Sequence, residues 1–308
     1  MCIKERNASD STCKKLLRDK GCFADLCNYA FFQGRQVIQP EELVSRENDL
    51  STLIGKVDKP TEIKRYRDVV RKASIHGEYV IIGVEHQRTF DEKMVFRILN
   101  YDATIYINQV ESKQEVYPVG SFVFYTGDEE WKLPETLKET LKSIPSEMEP
   151  NINDWRLPVI DLKTMDARKL TNQRLKEVVE ISQSMFAGNY DDLRNNRKIE
   201  TESFMMAATF TRTNIRREDL PEGDEINMCE AMDRLFQRFE NQGMEKGKII
   251  GFEKGKSDTL KEQLKVKLGT LSRPLEKQLT ETSLEKLNEL TLNIFNINSE
   301  EDVLKIIN

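Results

Sequence analysis

Two polar residues, Glu85 and Gln87, end an apolar run that begins at Tyr79. The run Val80-Ile81-Ile82-Gly83-Val84 is typical of a buried strand. Because side chains alternate faces along a strand, Glu85 and Gln87 point the same way and His86 points the other way. A carboxylate and an amide at one spot favour the binding of a hard divalent cation, provided that a second carboxylate lies nearby.

Asp68, in the segment before this strand, is the candidate for that second carboxylate. The pattern predicts a strand over 66–73, a turn over 74–78 and a strand over 79–87, which together form a hairpin. Because antiparallel strands pair start with end, Asp68 can lie opposite Glu85. The alternative is that Asp68 is a salt-bridged acid among arginines and that the strand end is polar without a catalytic role. The residues alone leave both interpretations open.

Five cations surround Asp68 between Lys64 and Lys72, in the sequence Lys-Arg-Tyr-Arg-Asp-Val-Val-Arg-Lys. One interpretation is a charged strand edge that resists aggregation. The other is a rim that contacts phosphate beside a metal site. In the second interpretation, the substrate-binding residues of this rim are Arg65, Arg67 and Arg71.

Composition narrows the class of protein. The chain has 308 residues, of which 32% are charged, and a formal net charge of −6, which argues mildly against broad electrostatic capture of nucleic acid. It contains no apolar run long enough to span a bilayer and no apolar signal region at the N-terminus, so we expect a cytoplasmic protein without membrane contact. The five cysteines form no C-x-x-C pair, and we expect reduced, mostly buried thiols.

The periodicity of apolar residues predicts a mixed α/β arrangement of helices and strands. Glycine weakens the middle of the first predicted helix, which favours two shorter helices. A boundary is predicted near residue 163, beyond which the pattern is helical. The predicted elements, besides the hairpin, are helices over 9–32, 91–110, 175–185, 202–213 and 225–240, a strand over 116–125, an edge strand over 157–162, and small helices over 260–271, 283–295 and 300–307.

An internal repeat places glycine at every fourth position from Gly243 to Gly255, and Glu-Lys-Gly-Lys occurs in it twice. Glycines at this spacing lie along one helix face, where a second helix can approach closely. Because each glycine costs a helix about 1 kcal/mol relative to alanine, the repeat can equally be a flexible linker. The pairing interpretation predicts a homo-oligomer through residues 243–258 and the C-terminal helices. Four parts are therefore predicted: a core over 1–163, a helical extension over 164–242, the repeat over 243–258, and a helical tail over 259–308.

A set of segments in a fixed order carries a family likeness. They are the stretch from Asp10 to Asp25, Arg67-Asp68-Val69-Val70, Val84-Glu85-His86-Gln87, the helix with Arg97 and Tyr101, and the stretch from Pro118 to Trp131. Over most of residues 9–165 this set resembles the Rpn family, the bacterial recombination-promoting nucleases also labelled YhgA-like putative transposases, within the PD-(D/E)XK nuclease superfamily. The Glu-Lys-Gly repeat and the small helical tail are also similar.

The resemblance implies a restriction-endonuclease-like α/β fold, in which helices flank a mixed central sheet and a helical C-terminal region follows. It implies a DNA endonuclease that depends on Mg²⁺, with Mn²⁺ or Ca²⁺ as alternatives. By position, Asp68 and Glu85 would hold the metal, with the backbone carbonyl of His86 as a third ligand. Gln87 takes the place of the usual lysine. Since glutamine does not titrate near neutral pH, it would orient water or touch the phosphate.

Three further residues are carried over more loosely from the resemblance. Lys14 on the first helix and Arg97 on the later helix would supply positive charge, with Arg97 also binding substrate, and Asp10 would act as an outer acid. Cys13 departs from the family pattern, which usually has an aromatic residue there.

The alternative function is a nuclease-fold protein with weak or no catalysis that binds DNA or a protein through its helical tail. The acidic net charge, Gln87 and the glycine repeat favour this alternative. A true transposase is a third hypothesis, and the single Asp/Glu pair without a third acid argues against it.

Overall fold

The computed structural model of the chain describes residues 3–44, 69–113 and 115–307. The chain forms two compact units, Met1–Asp233 and Arg234–Asn308. The four-part division expected from the sequence remains a prediction. Within the described ranges, none of the helices combines the length and the apolar character that a bilayer span requires.

A four-stranded mixed sheet forms the centre of the first unit. Its strands, in spatial order, are β1 (Val69–Ile75), β2 (Glu78–Gln87), β3 (Val119–Tyr125) and β4 (Val159–Asp161). β1 pairs with β2 in antiparallel fashion, whereas β2 with β3 and β3 with β4 are parallel pairs. The mixed α/β class and the hairpin expected from the sequence are confirmed.

A two-residue turn at His76 and Gly77 connects the strands of the hairpin. Both residues have positive φ angles, 53° and 87°. Such a turn matches the twist of antiparallel strands, and glycine adopts it without steric cost. The turn therefore fixes the register in which Ile75 pairs with Glu78 and Val69 pairs with Val84.

Helix α3 (Met94–Glu111) connects the parallel strands β2 and β3 and covers one face of the sheet. It was expected over 91–110. Its apolar side packs against every second residue of the strands, because alternate side chains of a strand point to the same face of the sheet. The buried residues of this face are Ile81, Met94, Val95, Ile98, Tyr101, Ile105, Val123, Tyr125 and Leu157.

The opposite face of the sheet is covered by helices α1 (Ile3–Arg18) and α2 (Lys20–Phe32) and by two helices from further along the chain. The predicted split of the first helical stretch is confirmed. The break lies at Asp19, whose side chain accepts a hydrogen bond from the backbone N–H of Cys22 and so caps α2. After the short α4 (Leu137–Thr140), the two later helices on this face are α5 (Gln173–Ala187) and α6 (Thr201–Thr211).

Asp25 ties α2 to the start of α5. Its buried carboxylate accepts hydrogen bonds from the backbone N–H groups of Thr171 and Asn172, both at 2.8 Å. The main apolar cluster likewise contains Leu17 and Phe122 together with Leu175 and Phe210. Residues on both sides of position 163 thus share one core.

The second unit begins within helix α7 (Met228–Leu268), which contains the whole glycine repeat. The helix predicted from residue 225 starts later, because Glu225–Asn227 forms a short strand, β6, that pairs with β5 (Lys198–Glu200). Three more helices follow and bury a cluster of leucines with the end of α7. They are α8 (Arg273–Glu281), α9 (Leu284–Leu292) and α10 (Glu300–Ile307).

Candidate active site

Glu85 and Gln87 lie side by side at the carboxyl end of β2, on the face that α3 covers. In the parallel ladder they pair with Val123 and Tyr125 of β3, whose side chains belong to the same face. Both side chains are buried, and the Gln87 Nε2 group donates a hydrogen bond of 3.2 Å to Oε1 of Glu85. The common orientation predicted from strand alternation is thus observed as a direct contact.

Arg97, the fourth residue of α3, binds Glu85 from the side of the sheet that this helix covers. Its Nη2 atom lies 2.6 Å from Oε1 of Glu85, and its Nη1 atom lies 2.5 Å from Oδ2 of Asp91. Its Nε group donates to the hydroxyl of Tyr101 at 3.4 Å. The guanidinium therefore makes one charge-assisted hydrogen bond to each of two carboxylates, and such bonds are stronger than those between neutral groups.

The ionisation of this pair follows from its contacts. Burial acts to raise the pKa of Asp91, but hydrogen bonds from Arg97 and from the backbone of Lys93 outweigh burial and hold that pKa below its ordinary value. Burial acts to lower the pKa of Arg97, and the bond to Asp91 together with the charge of Glu85 raises it above its ordinary value. The site thus contains a permanent cation and an ionised Asp91 at neutral pH.

His86 points to the opposite face of the sheet, as predicted. Its Nδ1 atom lies 3.1 Å from Oδ1 of Asp10 on α1, and its Nε2 atom lies 2.8 Å from Oγ1 of Thr126. The imidazole is buried beside the rings of Phe124 and Phe210. These contacts anchor α1 to the strand end, so Asp10 is separated from Glu85 by the sheet.

Lys14 is a residue of α1, and Arg71 contacts the end of the same helix. Lys14 is exposed one turn after Asp10 on α1. Arg71 pairs with Ile82 in the hairpin and donates to the carbonyls of Leu17 and Arg18 at 2.9 Å each, at the C-terminal end of α1. A cation at that position complements the helix dipole. The catalytic role of Lys14 and the substrate-binding role of Arg71 remain predictions.

Three predicted site residues, Asp68, Arg65 and Arg67, lie outside the described residues. The hairpin ladder begins at Val69, which pairs with Val84, the residue before Glu85. Within residues 3–44, 69–113 and 115–307, no group of three or more His, Cys, Asp and Glu side chains is arranged to hold a metal ion.

The donor atoms at the strand end suit Mg²⁺ nevertheless. Mg²⁺ is usually bound through one or two carboxylates and keeps several of its waters. Glu85 supplies one buried carboxylate, and the amide of Gln87 lies beside it with its Nε2 group toward Glu85. The carboxylate of Glu85 already binds one cationic group, the guanidinium of Arg97. The described residues therefore supply one of the one or two carboxylates through which Mg²⁺ is usually bound.

The structure adds Asp91 and Arg88, which the sequence interpretation missed. Asp91 and Glu85 both bind Arg97. The spacing of six residues between Asp91 and Arg97 was the only feature of the sequence that pointed to their contact. Arg88 follows Gln87, is buried, and donates to the carbonyl of Phe210 at 3.2 Å. The periodicity of the sequence does not reveal this contact, because Arg88 and Phe210 are 122 residues apart in the chain.

The cysteines behave as predicted in the part of the chain that the structure describes. Cys13, Cys22 and Cys27 are buried free thiols, and Cys229 is a half-buried one. Burial raises the pKa of Cys22 and Cys27 above the ordinary thiol value, which disfavours the nucleophilic thiolate.

Comparison with known proteins gives one match. Residues 61–211 match the family described as "Putative transposase, YhgA-like", a range that includes the hairpin, α3, α5 and α6 but not α1 and α2. Neither the curated proteins nor the solved structures contain a match.

Proposed function

We propose that this chain, which belongs through residues 61–211 to the family of YhgA-like putative transposases, is a metal-dependent DNA endonuclease. The observation that carries the proposal is the buried carboxylate–amide pair of Glu85 and Gln87, held by Arg97 at the carboxyl end of a central strand. A buried carboxylate with a specific cationic partner is a candidate for a functional site.

The proposed metal ligands are Glu85, Asp68 and the backbone carbonyl of His86. Asp68 immediately precedes Val69 in the chain, and Val69 pairs with the residue before Glu85, which supports their assignment to one site. A bound Mg²⁺ would lower the pKa of a water molecule and polarise a phosphate oxygen, with Mn²⁺ or Ca²⁺ as alternative occupants.

The remaining roles fall to residues of the α3 face. Gln87 orients the attacking water, because its amide can both donate and accept a hydrogen bond but cannot take up a proton. Arg97 is only partly exposed and carries donors in a planar fork, so it can transfer one hydrogen bond from Glu85 to a phosphate oxygen. The negative charge that develops on the phosphate is then stabilised by a group already in place.

The test of this proposal is the cleavage of supercoiled plasmid DNA by the purified full chain. We expect nicked and linear products with Mg²⁺ and none with EDTA, and no cleavage by Asp68→Ala. Nicking at equal rates by the native chain and Asp68→Ala would point to contamination or to another active site. A rise in melting temperature with Mn²⁺ that Asp68→Ala lacks would show that the ligands bind metal independently of cleavage.

A second candidate function, an interaction module, is favoured by the middle of α7. Every residue from 239 to 252 is exposed, including Phe239, Ile249, Ile250 and Phe252, the last two to more than 60%. A Cβ atom added at any of the four glycines of the repeat would have no atom within 4 Å apart from the neighbouring backbone of its own helix. Four glycines cost an exposed helix about 4 kcal/mol relative to alanine, and packing against a partner is the usual compensation.

The occupant that fits this stretch is a second copy of the chain. Lys248 and Glu253 carry opposite charges on either side of the centre of the repeat. Ile250 lies three residues after Gly247 and seven after Gly243, so it shares the glycine face of the helix. An antiparallel pair of α7 helices that meet along this face would cover Ile250 in both copies. The same segment paired with itself thus covers the glycine face and part of the exposed apolar surface.

Ile250→Glu is expected to convert a self-associated chain to monomer, because it places a charge in the apolar centre of the pair. Sedimentation equilibrium measures the mass of both chains at matched concentrations. Val266→Glu is the control, since Val266 is 90% exposed on the same helix but lies outside the repeat. A native chain that is monomeric at high micromolar concentration would contradict the pairing.

A further inference from the structure

Three aromatic rings form a cluster at the end of β2 and β3. Phe90 stacks on Tyr125 with ring centroids 5.6 Å apart and an interplanar angle of 12°. Trp131 meets both rings edge to face, with centroid distances of 5.8 Å to Phe90 and 5.1 Å to Tyr125. The three residues are hereafter called the aromatic platform.

The inner rings of the platform are fixed in place. Tyr125 is 2% exposed, and its hydroxyl lies against Gly127, where an added Cβ atom would collide with it. Burial, together with the charges of Asp161 and Glu129, raises the pKa of Tyr125 to about 12, so the phenol stays neutral. Tyr125 is therefore a rigid, uncharged support for the ring above it.

Phe90 is the outer ring of the platform. It is 38% exposed, although one of its faces rests on Tyr125. The exposed part is therefore the side of the ring that points away from the protein. A preoriented aromatic ring with one open side is the arrangement on which a nucleobase stacks.

The platform is joined to the candidate active site by two direct connections. Tyr125 is the partner of Gln87 in the parallel ladder. Asp91, the neighbour of Phe90 in the chain, binds Arg97, which binds Glu85. Phe90 therefore lies one short loop from the groups proposed to act on the phosphate.

Positive charge near the platform comes from Arg97 and Arg212. Both guanidinium side chains are about one third exposed. Arg212 lies 3.0 Å from Asp128, which also lies 3.9 Å from Arg88, two residues before Phe90. Acidic residues neutralise part of the charge of these arginines, so their attraction for the phosphate backbone of DNA gives limited affinity. Base stacking therefore contributes a larger share of the binding free energy.

We propose that Phe90 stacks on an unpaired base of the nucleic acid whose backbone lies at Glu85, and that the preferred substrate is single-stranded or frayed DNA. The proposal rests on the proposed function and names its substrate class. In a duplex, both faces of each internal base are covered by neighbouring bases. The open side of Phe90 can therefore be used only by a base at an end, in a gap or outside the stack.

The test compares binding of a short single-stranded DNA with binding of the duplex of the same sequence. The full chain is used in EDTA, in which the proposed function predicts no cleavage, and fluorescence anisotropy gives Kd. The variant is Phe90→Leu, which keeps apolar contact with Tyr125 and Trp131 but removes the ring. Phe90→Trp restores a ring, and Phe96→Leu is the matched control, because Phe96 is 44% exposed on α3 outside the platform.

We expect the native chain to bind the single strand more tightly than the duplex. Phe90→Leu should weaken binding of the single strand roughly 5- to 150-fold, the range for loss of one stacked base, and should change the duplex Kd little. Phe90→Trp and Phe96→Leu should bind as the native chain does. Melting temperatures of all four chains establish whether each is folded.

Two outcomes would overturn the stacking proposal alone. One is cleavage of plasmid by a native chain whose affinity for the single strand is unchanged in Phe90→Leu. The other is an equal loss of affinity for both DNA forms, which would indicate a general effect on the site. A native chain that neither binds nor cleaves either DNA would overturn the proposed function as well.

Discussion

Glu85→Gln is expected to lower the rate of Mg²⁺-dependent DNA cleavage about 100- to 1,000-fold while leaving the fold intact. The change keeps the size and shape of the side chain but removes the charge that a divalent cation requires. A metal contributes several kcal/mol to stabilisation of the transition state, and each 1.36 kcal/mol is tenfold in rate. Arg97 keeps its contact with Asp91 in this variant. Single-turnover cleavage at saturating DNA measures the change.

Glu92→Gln is the matched control for this prediction. Glu92 lies one residue after Asp91 and is exposed, so the substitution removes the same charge close to the site without touching Glu85. We expect cleavage within a factor of about two of the native rate, as for other surface substitutions. An equal loss in both variants would mean that net charge, rather than a ligand, governs the rate. Full activity of Glu85→Gln would place the active site elsewhere.

Arg97→Ala is expected to lower the free energy of unfolding by about 2–3 kcal/mol. Removing one partner of a buried ion pair costs about 3–5 kcal/mol, because the remaining charge is left in a low-dielectric environment. We expect about 2–3 kcal/mol rather than about 3–5 kcal/mol because only one partner is fully buried: the side chain of Arg97 is 34% exposed and that of Glu85 is 7% exposed. Denaturation with urea, followed by circular dichroism, measures the change.

A double substitution isolates the charge effect. In the Glu85→Gln background the buried group is a neutral amide, so Arg97→Ala should cost clearly less than it does in the native chain. Arg168→Ala is the control, since Arg168 pairs with Asp166 at the surface and is 89% exposed; we expect it to leave the denaturation midpoint unchanged. The same cost for Arg97→Ala in both backgrounds would mean that packing of the arginine stem, rather than its charge, stabilises the fold.

Several features of the fold could be predicted from local patterns. Strand alternation alone placed Glu85 and Gln87 on one face and His86 on the other. The His76-Gly77 turn fixed the hairpin, and the apolar spacing of α3 gave its extent to within three residues at its start. The short strands β5 and β6 were missed, because three residues are too few for a period to be detected.

The cationic residues show where local patterns fail. Arg71 stands beside Asp68 in the sequence, yet its side chain binds carbonyls at the end of α1, on the face opposite Glu85. Arg97 was assigned a place only through the family resemblance, and it is the residue that binds Glu85. Proximity in sequence is thus a poor guide to proximity in space when a strand separates the two faces.

The sequence by itself determined the polar end of β2, the direction in which Glu85 and Gln87 point, and the helices that cover the sheet. These features depend on interactions between residues a few positions apart, which a period of 2 or 3.6 records. Only the tertiary structure decided that Arg97 joins Glu85 to Asp91, that Asp10 binds His86, and that Phe90 rests on Tyr125. Those contacts depend on the path of α3 between β2 and β3 and on the docking of α1 against the sheet. A local period carries no information about which distant segments of the chain pack together.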